Sequence, residues 1–385
     1  MNGTEIRCLL ACAALAAGEL LASLAPRGAE AWPAFALAAA WLLLTGYGFS
    51  VKGWPYAFLV LSGVALFCFS KVDEERRYRE QPWMRGVRAR TAEAAVPPLR
   101  RDLSRRVGIG LDHNRPAAVL NRAILLGERR GIPEETRRAF VESGTIHVFA
   151  ISGLHVMIVA KVLMALVALL LVPLRFQGAV ALVPVWGYVA LIGMPPSALR
   201  AALMASVYFL APLFWRKSSG LVAWAIAFLV SHVLFPGLVV DTGSQLSYMV
   251  MLSLILAGRV SANGFFQAAA AWAAGLPIAA MTFGRITPGG LLANLVLLSA
   301  AACSVVAGAI GALTSYVCEP LAAHLNNLSA LATDAMVAIS ETVARLPGSN
   351  FEIDPWSPAM CIEWYAAFGL SLYLVHRART PRIDF

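Results

Sequence analysis

Residues 291–317 read LLANLVLLSAAACSVVAGAIGALTSYV, 27 positions without an Asp, Glu, Lys or Arg. A helix crosses a bilayer with about 20 mostly apolar residues, so this run names lipid as the solvent the fold must satisfy. Working outward from it, similar apolar stretches lie at 361–375 downstream and at 268–283, 246–256, 221–234, 199–215, 179–194 and 155–172 upstream. Three more open the chain, at 8–24, 32–49 and 56–69. The fold class expected is therefore an all-α polytopic membrane protein, a bundle of about 10–11 transmembrane or re-entrant helices. Several stretches are short. Backbone that leaves the helix inside a membrane has to be buried in protein or face a wet cavity.

One segment has a different pattern. Leu325, Leu328, Ala332, Ala335, Ile339, Val343 and Leu346 repeat at helical spacing, while Asn326, Thr333, Ser340, Glu341 and Arg345 fall elsewhere. That is an amphipathic helix, lying at the membrane interface or packed against the bundle.

Composition supports the same class. Of 385 residues, 59% are hydrophobic and 14% charged, with mean hydropathy +0.69. Soluble domains carry about 25% charged residues, so a soluble enzyme, a disordered tail and a coiled coil are excluded. The net charge of +9 is concentrated in one place, since residues 71–138 hold 17 Lys+Arg against 10 Asp+Glu. Four regions follow: hydrophobic helices over 1–70, with the first helix uncleaved, a basic hydrophilic insert over 71–117, a membrane domain over 118–377, and a basic tail over 378–385. Short helices are expected at 99–107, 116–126 and 133–141. Pro133, Glu134 and Glu135 place a proline and two acids where a helix start favours them. The six cysteines sit in or beside apolar segments without metal-ligand spacing and read as small buried hydrophobes. Arg175, Arg216, Lys217 and Arg259 fall on the side opposite the insert by this span count and favour an external insert. The tail residues Arg377, Arg379 and Arg382 pull the other way.

Polar groups inside a membrane are costly and are the first functional candidates. The densest cluster is 144–155, GTIHVFAISGLH, with His147 and His155 flanking Ser152 and Gly153. The Ser-Gly pair suggests a helix break that turns backbone groups and histidines toward a cavity. Two interfacial histidines bonded to carbonyls is the plain alternative. Pro195-Pro196-Ser197 opens a span containing Arg200, which either faces the interior or snorkels to the interface. Asp241 either caps a helix or joins Gln245 and Ser247 in a polar site. Asn294 bonds a neighbouring helix or a substrate. Lys161 is a further costly charge with no partner evident from sequence. There is no GxxxxGK[ST] phosphate loop and no HExxH or His-x-His zinc pair, so no metal, cofactor or catalytic residue is assigned.

At these residues the chain resembles the membrane domain of ComEC-type competence proteins. Leu125-Leu126-Gly127-Glu128-Arg129 is similar to the family's LLGDR-like segment. Phe140 through His155 is similar to its F-x-x-x-G-x-x-H-x-x-A-I-S-G-L-H signature, the most specific element. Arg200-Ala201-Ala202-Leu203-Met204, Gln245-Leu246-Ser247-Tyr248, Ala293-Asn294-Leu295 and Leu346-Pro347-Gly348 follow in the family's order. The resemblance covers about residues 118–377. It implies a multi-pass protein of the bacterial inner membrane that imports transforming single-stranded DNA. His147, Ser152, Gly153, His155, Arg200, Asp241, Gln245 and Asn294 are then candidate pathway residues. Arg100, Arg101, Arg105, Arg106, Arg129 and Arg130 are a candidate approach for the DNA. A separate translocating ATPase, a DNA receptor and a nuclease are the partners implied. The family's oligonucleotide-binding domain is replaced here by the basic insert, and its metallo-β-lactamase-like domain has no counterpart in the chain, so a non-enzyme is expected. Two other readings remain beside it: a small-solute transporter or inactive family remnant, and, more remotely, an intramembrane serine protease with Ser152 as nucleophile and His232 as base.

Overall fold

The computed structural model describes residues 98–379, apart from 113–114, 150–152, 170, 235–237 and 239–240. The three N-terminal apolar stretches and most of the basic insert lie outside the described residues. Among the described residues the chain forms twelve α-helices. They are α1 (Pro98–Arg106), α2 (Arg115–Leu126), α3 (Glu134–Glu142), α4 (Gly153–Leu169), α5 (Leu174–Leu191) and α6 (Pro196–Leu210). Then come α7 (Gly220–Leu234), α8 (Thr242–Val260), α9 (Gly264–Phe283), α10 (Gly289–Thr314), α11 (Glu319–Arg345) and α12 (Pro358–Arg379). Every apolar stretch read from 155 onward is a helix. Five helical segments are long and apolar enough to cross a membrane: Leu174–Leu191, Pro196–Phe214, Gly264–Phe283, Gly289–Thr314 and Pro358–Val375. The chain is a multi-pass, all-α membrane protein.

The helices divide between two compact units whose chain segments interleave. One unit contains Ser219–Ile286 and the chain from Glu352 onward, and so holds α7, α8, α9 and α12. Its helices are joined through aromatic side chains that carry a polar tip. Trp224 Nε1 on α7 donates to Tyr248 O on α8 at 2.9 Å, and Tyr248 OH returns a bond to Ala227 O at 3.0 Å. Trp364 Nε1 and Tyr365 OH on α12 donate to Ala273 O and Ala274 O of α9 at 2.9 and 2.8 Å. Without bulk water, such bonds are how a tryptophan or tyrosine is accommodated between helices.

The other unit contains Gly86–Ser218 and Thr287–Phe351, and so holds α1–α6 with α10 and α11. Its spine is the antiparallel hairpin α10–α11. Small residues let these backbones approach: a Cβ added at Gly311 would meet Asn326 Oδ1 at 2.5 Å, and one at Gly289 would meet Val343 Cγ1 at 2.7 Å. Polar side chains bond across the seam, with Ser329 Oγ donating to Ser304 O at 2.9 Å. This is the packing expected where lipid gives apolar surfaces no reason to associate. The amphipathic segment at 325–346 is thus packed on the bundle, as all but the first six residues of α11. Its buried face, however, is Asn326, Ser329, Thr333, Met336, Ser340 and Val343, whereas Leu321, Leu328 and Leu331 are exposed. The polar face points inward because a hydroxyl or amide needs a partner and a leucine beside lipid does not.

Helices α1, α2 and α3 dock on this hairpin. Thr333 Oγ1 donates to Asn121 Oδ1 of α2 at 2.9 Å, and Thr145, after α3, shares a bond with Ser340 at 3.1 Å. Asn326 Nδ2 donates to Arg106 O and Ile109 O at 2.8 and 3.0 Å. A buried apolar cluster that includes Ile124, Phe140, Leu297 and Met336 fills the space between.

Candidate functional site

The LLGER segment is a junction. Its polar groups reach several elements: Leu125 O accepts from Tyr188 OH on α5 at 3.0 Å, and Leu126 O accepts from Arg100 at 2.8 Å. Glu128 accepts from Ser104 Oγ at 2.7 Å and lies 3.7 Å from Arg100. Arg129 Nε donates to Phe149 O at 3.0 Å. Gly127, with φ of 71°, provides the left-handed turn that ends α2 and lets these groups spread. The segment thus joins α1, α5 and the turn preceding α4.

That turn is the 144–155 cluster. Gly144 has φ of 73°, and a Cβ there would meet Thr287 Cβ at 2.8 Å, so glycine is required on two counts. Ser143 and Thr145 are buried and bonded at 2.7 Å. A single 3-10 turn, Ile146–Phe149, carries His147 on its exposed side, while Phe140 and Phe149 pack with ring centroids 4.5 Å apart. The helix break expected at Ser152-Gly153 falls where α4 starts at Gly153. Ser152 itself lies outside the described residues, as does the His232 side chain, so the serine-protease pairing lies there too.

His155, two residues into α4, is 2% exposed, and Arg200, on the first turns of α6, is 3% exposed. Gly153 faces Ala201 across the same helix pair, at 3.4 Å from an added Cβ. Pro195 and Pro196 set the start of α6, so that Arg200 falls inside the helix and is buried. Gly153, His155 and Arg200 therefore belong to one end of the α4–α5–α6 set. Arg100 approaches Gly193 at that same end. Asn294 is on α10 in the same unit, with its Oδ1 buried and without a hydrogen-bond partner among the described residues. Lys161 is exposed at the middle of α4.

Asp241 and Gln245 belong to the other unit. Asp241 caps α8, its carboxylate accepting from Ser244 N at 2.8 Å, and Gln245 is 3% exposed one turn on. The six arginines of the expected approach differ from one another. Arg106 is used structurally: it bonds Asp102 at 2.6 Å and Ser315 O at 3.2 Å, and lies 3.6 Å over the Tyr316 ring. Arg100 is held at the LLGER junction, and Arg105 is exposed beside Asp102 at 3.3 Å. Arg101, Arg129 and Arg130 are exposed. The bonds from Arg106 and then Tyr316 hold the Asp102 carboxyl below its ordinary range. Sequence reading missed Tyr188 and Asn121, and placed Thr333 only on the polar side of an amphipathic helix. Only the fold brings these isolated polar residues to their partners. Among the described residues no group of three His, Cys, Asp or Glu side chains is placed to hold a metal.

Apolar helices with a buried arginine, a buried histidine and polar seams between them define a multi-pass membrane protein. The family profile described as Competence protein matches residues 124–378. The chain belongs to that family. ComE operon protein 3 of Bacillus subtilis (strain 168) is 34% identical over 139 residues, covering 36% of this chain and 18% of the relative. An uncharacterized protein of Aquifex aeolicus (strain VF5) is 30% identical over 183 residues, covering 46% of this chain and 43% of the relative. The chain thus aligns with less than half the length of either curated relative. No solved structure matches it significantly.

Proposed function

We propose that the protein is the membrane channel through which transforming single-stranded DNA enters the cell. The observation that supports this most is the convergence at one end of α4–α5–α6: Gly153, His155 and Arg200 sit together where Arg100 and the LLGER junction dock. A buried cation at a helix start suits a phosphate that has shed its water, because burial strengthens the attraction that water would screen. The exposed cations Arg101, Arg105, Arg129 and Arg130 suit the first, salt-dependent attraction of a polyanion. His147, Ser152, Asp241, Gln245 and Asn294 are proposed as further pathway groups. The lipid bilayer is the protein's medium, and a separate translocating ATPase, a DNA receptor and a nuclease are its proposed partners.

Deleting the gene in a transformable host should leave DNA bound at the cell surface and abolish its entry into the cytoplasm. Purified protein in liposomes should pass labelled single-stranded DNA. Passage of small solutes without DNA would favour the solute-transporter reading, and unchanged transformation in the deletion strain would end the proposal for that host. Arg200→Lys should keep partial uptake and Arg200→Ala should lose it, with the folded protein recovered equally from membranes in both.

A further inference from the structure

The end of the α4–α5–α6 set opposite Gly153 and Arg200 has a basic, aromatic surface. The chain turns there twice, between α4 and α5 and after α6. At each turn a bulky residue takes the left-handed backbone: Leu171 and Trp215, both with φ of 56°. That region is disfavoured for large side chains, yet backbone hydrogen bonds hold both turns. Leu171 N donates to Ala168 O at 3.1 Å, Trp215 N to Pro212 O at 3.1 Å and Arg216 N to Ala211 O at 2.9 Å. The two side chains so presented are almost fully uncovered, Leu171 at 90% and Trp215 at 84%. Leu174 and Phe214 stand beside them, also exposed. The turns are neighbours in space, because a Cβ on Gly178 of α5 would meet Phe209 Cβ of α6 at 2.9 Å.

Charge completes the pattern. Arg175, Arg216 and Lys217 are exposed at this end, and neither 168–178 nor 208–219 contains an acidic residue. The short connection at the other end, 192–195, is Ile-Gly-Met-Pro and carries no charge. Large apolar groups offered to water would be a liability, and cations offered to hydrocarbon would be costly. Both are satisfied together at the boundary of an anionic leaflet, where aromatic rings sit among headgroups and Lys and Arg meet phosphates. Short loops rich in Lys and Arg are retained on the cytoplasmic side.

We propose that these two turns form a basic, aromatic anchor seated in the anionic cytoplasmic leaflet, with the Gly153–Arg200 end facing outward. The occupant of the surface is lipid, with Leu171, Leu174, Phe214 and Trp215 at the acyl boundary and the three cations on lipid phosphates. The proposal fixes the orientation of the bundle and does not depend on what the protein transports.

Two measurements on the full chain test it, each read above the labelling of the parent protein. First, Lys217→Cys should react with a membrane-impermeant maleimide in inside-out vesicles and not in intact cells, and Met194→Cys, at the opposite end, should show the reverse. The inverted pattern overturns the orientation. Second, a fluorophore on Trp215→Cys in mixed-lipid nanodiscs should be quenched more by brominated phosphatidylglycerol than by brominated phosphatidylcholine. The preference should drop by about fivefold for each of the three cations changed to Gln. Quenching by neither lipid would mean that water, a second copy or a protein partner covers the turns, and equal quenching by both would remove the anionic specificity. Either result overturns the proposal.

Discussion

Asp102 shows how single residues attach the basic helix α1 to the bundle. Its carboxylate accepts from Arg106 at 2.6 Å and from Tyr316 OH at 2.7 Å, which lowers its pKa below the usual value of 3.8. A depressed carboxylate stabilises the fold in full above its unfolded pKa, and that contribution is lost as pH falls through the folded value. The protection factors of the α1 amides, their exchange rates referred to an unstructured chain at the same pH, should therefore be unchanged from neutral pH down to about 4 and fall below it. In Asp102→Asn they should be lower at neutral pH and show little further change on acidification. Lys161 gives a second prediction at this scale. It lies eight residues from either end of α4, about 12 Å, farther than its own side chain extends along a straight helix. Against lipid it would cost about 2.5–3.5 kcal/mol. A cysteine in its place should accordingly react with water-soluble thiol reagents, and labelling only by lipid-soluble ones would place it in the bilayer.

Among the elements, the α10–α11 hairpin organises its unit. Its close approach depends on Gly289, Gly308 and Gly311, each with a side chain from a neighbouring helix already in the space a methyl would take. Gly311→Val should displace Asn326 and with it the two bonds to the α1 segment, at a cost of about 1–3 kcal/mol in overpacking alone. Thermal unfolding in detergent would register the loss, and Gly264→Val, with nothing near its Cβ position, is the control expected to shift the midpoint far less. Gly144→Ala should be comparably harmful, since it meets both a forbidden φ and Thr287. The helix positions themselves were legible in the sequence: 99–107, 116–126 and 133–141 each lie within a residue of α1, α2 and α3 at either end. Helices are set by local hydrophobicity, prolines and caps, all of which are written in contiguous residues. The inward face of α11 was not legible, because an apolar stripe marks the packed side only when the other side meets water.

For the whole molecule, the order of motifs along the chain and their distribution in space differ. The family signature runs continuously from 124 to 378, yet its residues fall into two units, with His155, Arg200 and Asn294 in one and Asp241 and Gln245 in the other. The insert's most C-terminal part does not stand apart as a loop, since α1 and α2 dock into the first of these units through Arg106, Asn121 and Arg100. On the proposed function, DNA passage by the reconstituted protein should then lose rate steeply with added salt, as expected when several cations meet phosphates. Replacing Arg101, Arg105 and Arg130 by Gln should flatten that dependence, with the folded protein still recovered from membranes. A rate insensitive to salt in both proteins would remove the electrostatic approach from the mechanism.

The sequence by itself determined the solvent, the helices and the family. Apolar run length decides membrane insertion, and the motifs survive as short contiguous strings. It also supplied candidate residues, because a charge inside an apolar run is conspicuous. Only the tertiary structure decided what each one touches: that LLGER is a junction among α1, α5 and the turn before α4, that Asp241 caps α8, and that Arg200 is buried and not snorkelled to the interface. The reason is physical. A polar group in lipid must find a partner, but its partner is a backbone carbonyl or hydroxyl tens to hundreds of residues away, and only folding brings the two together.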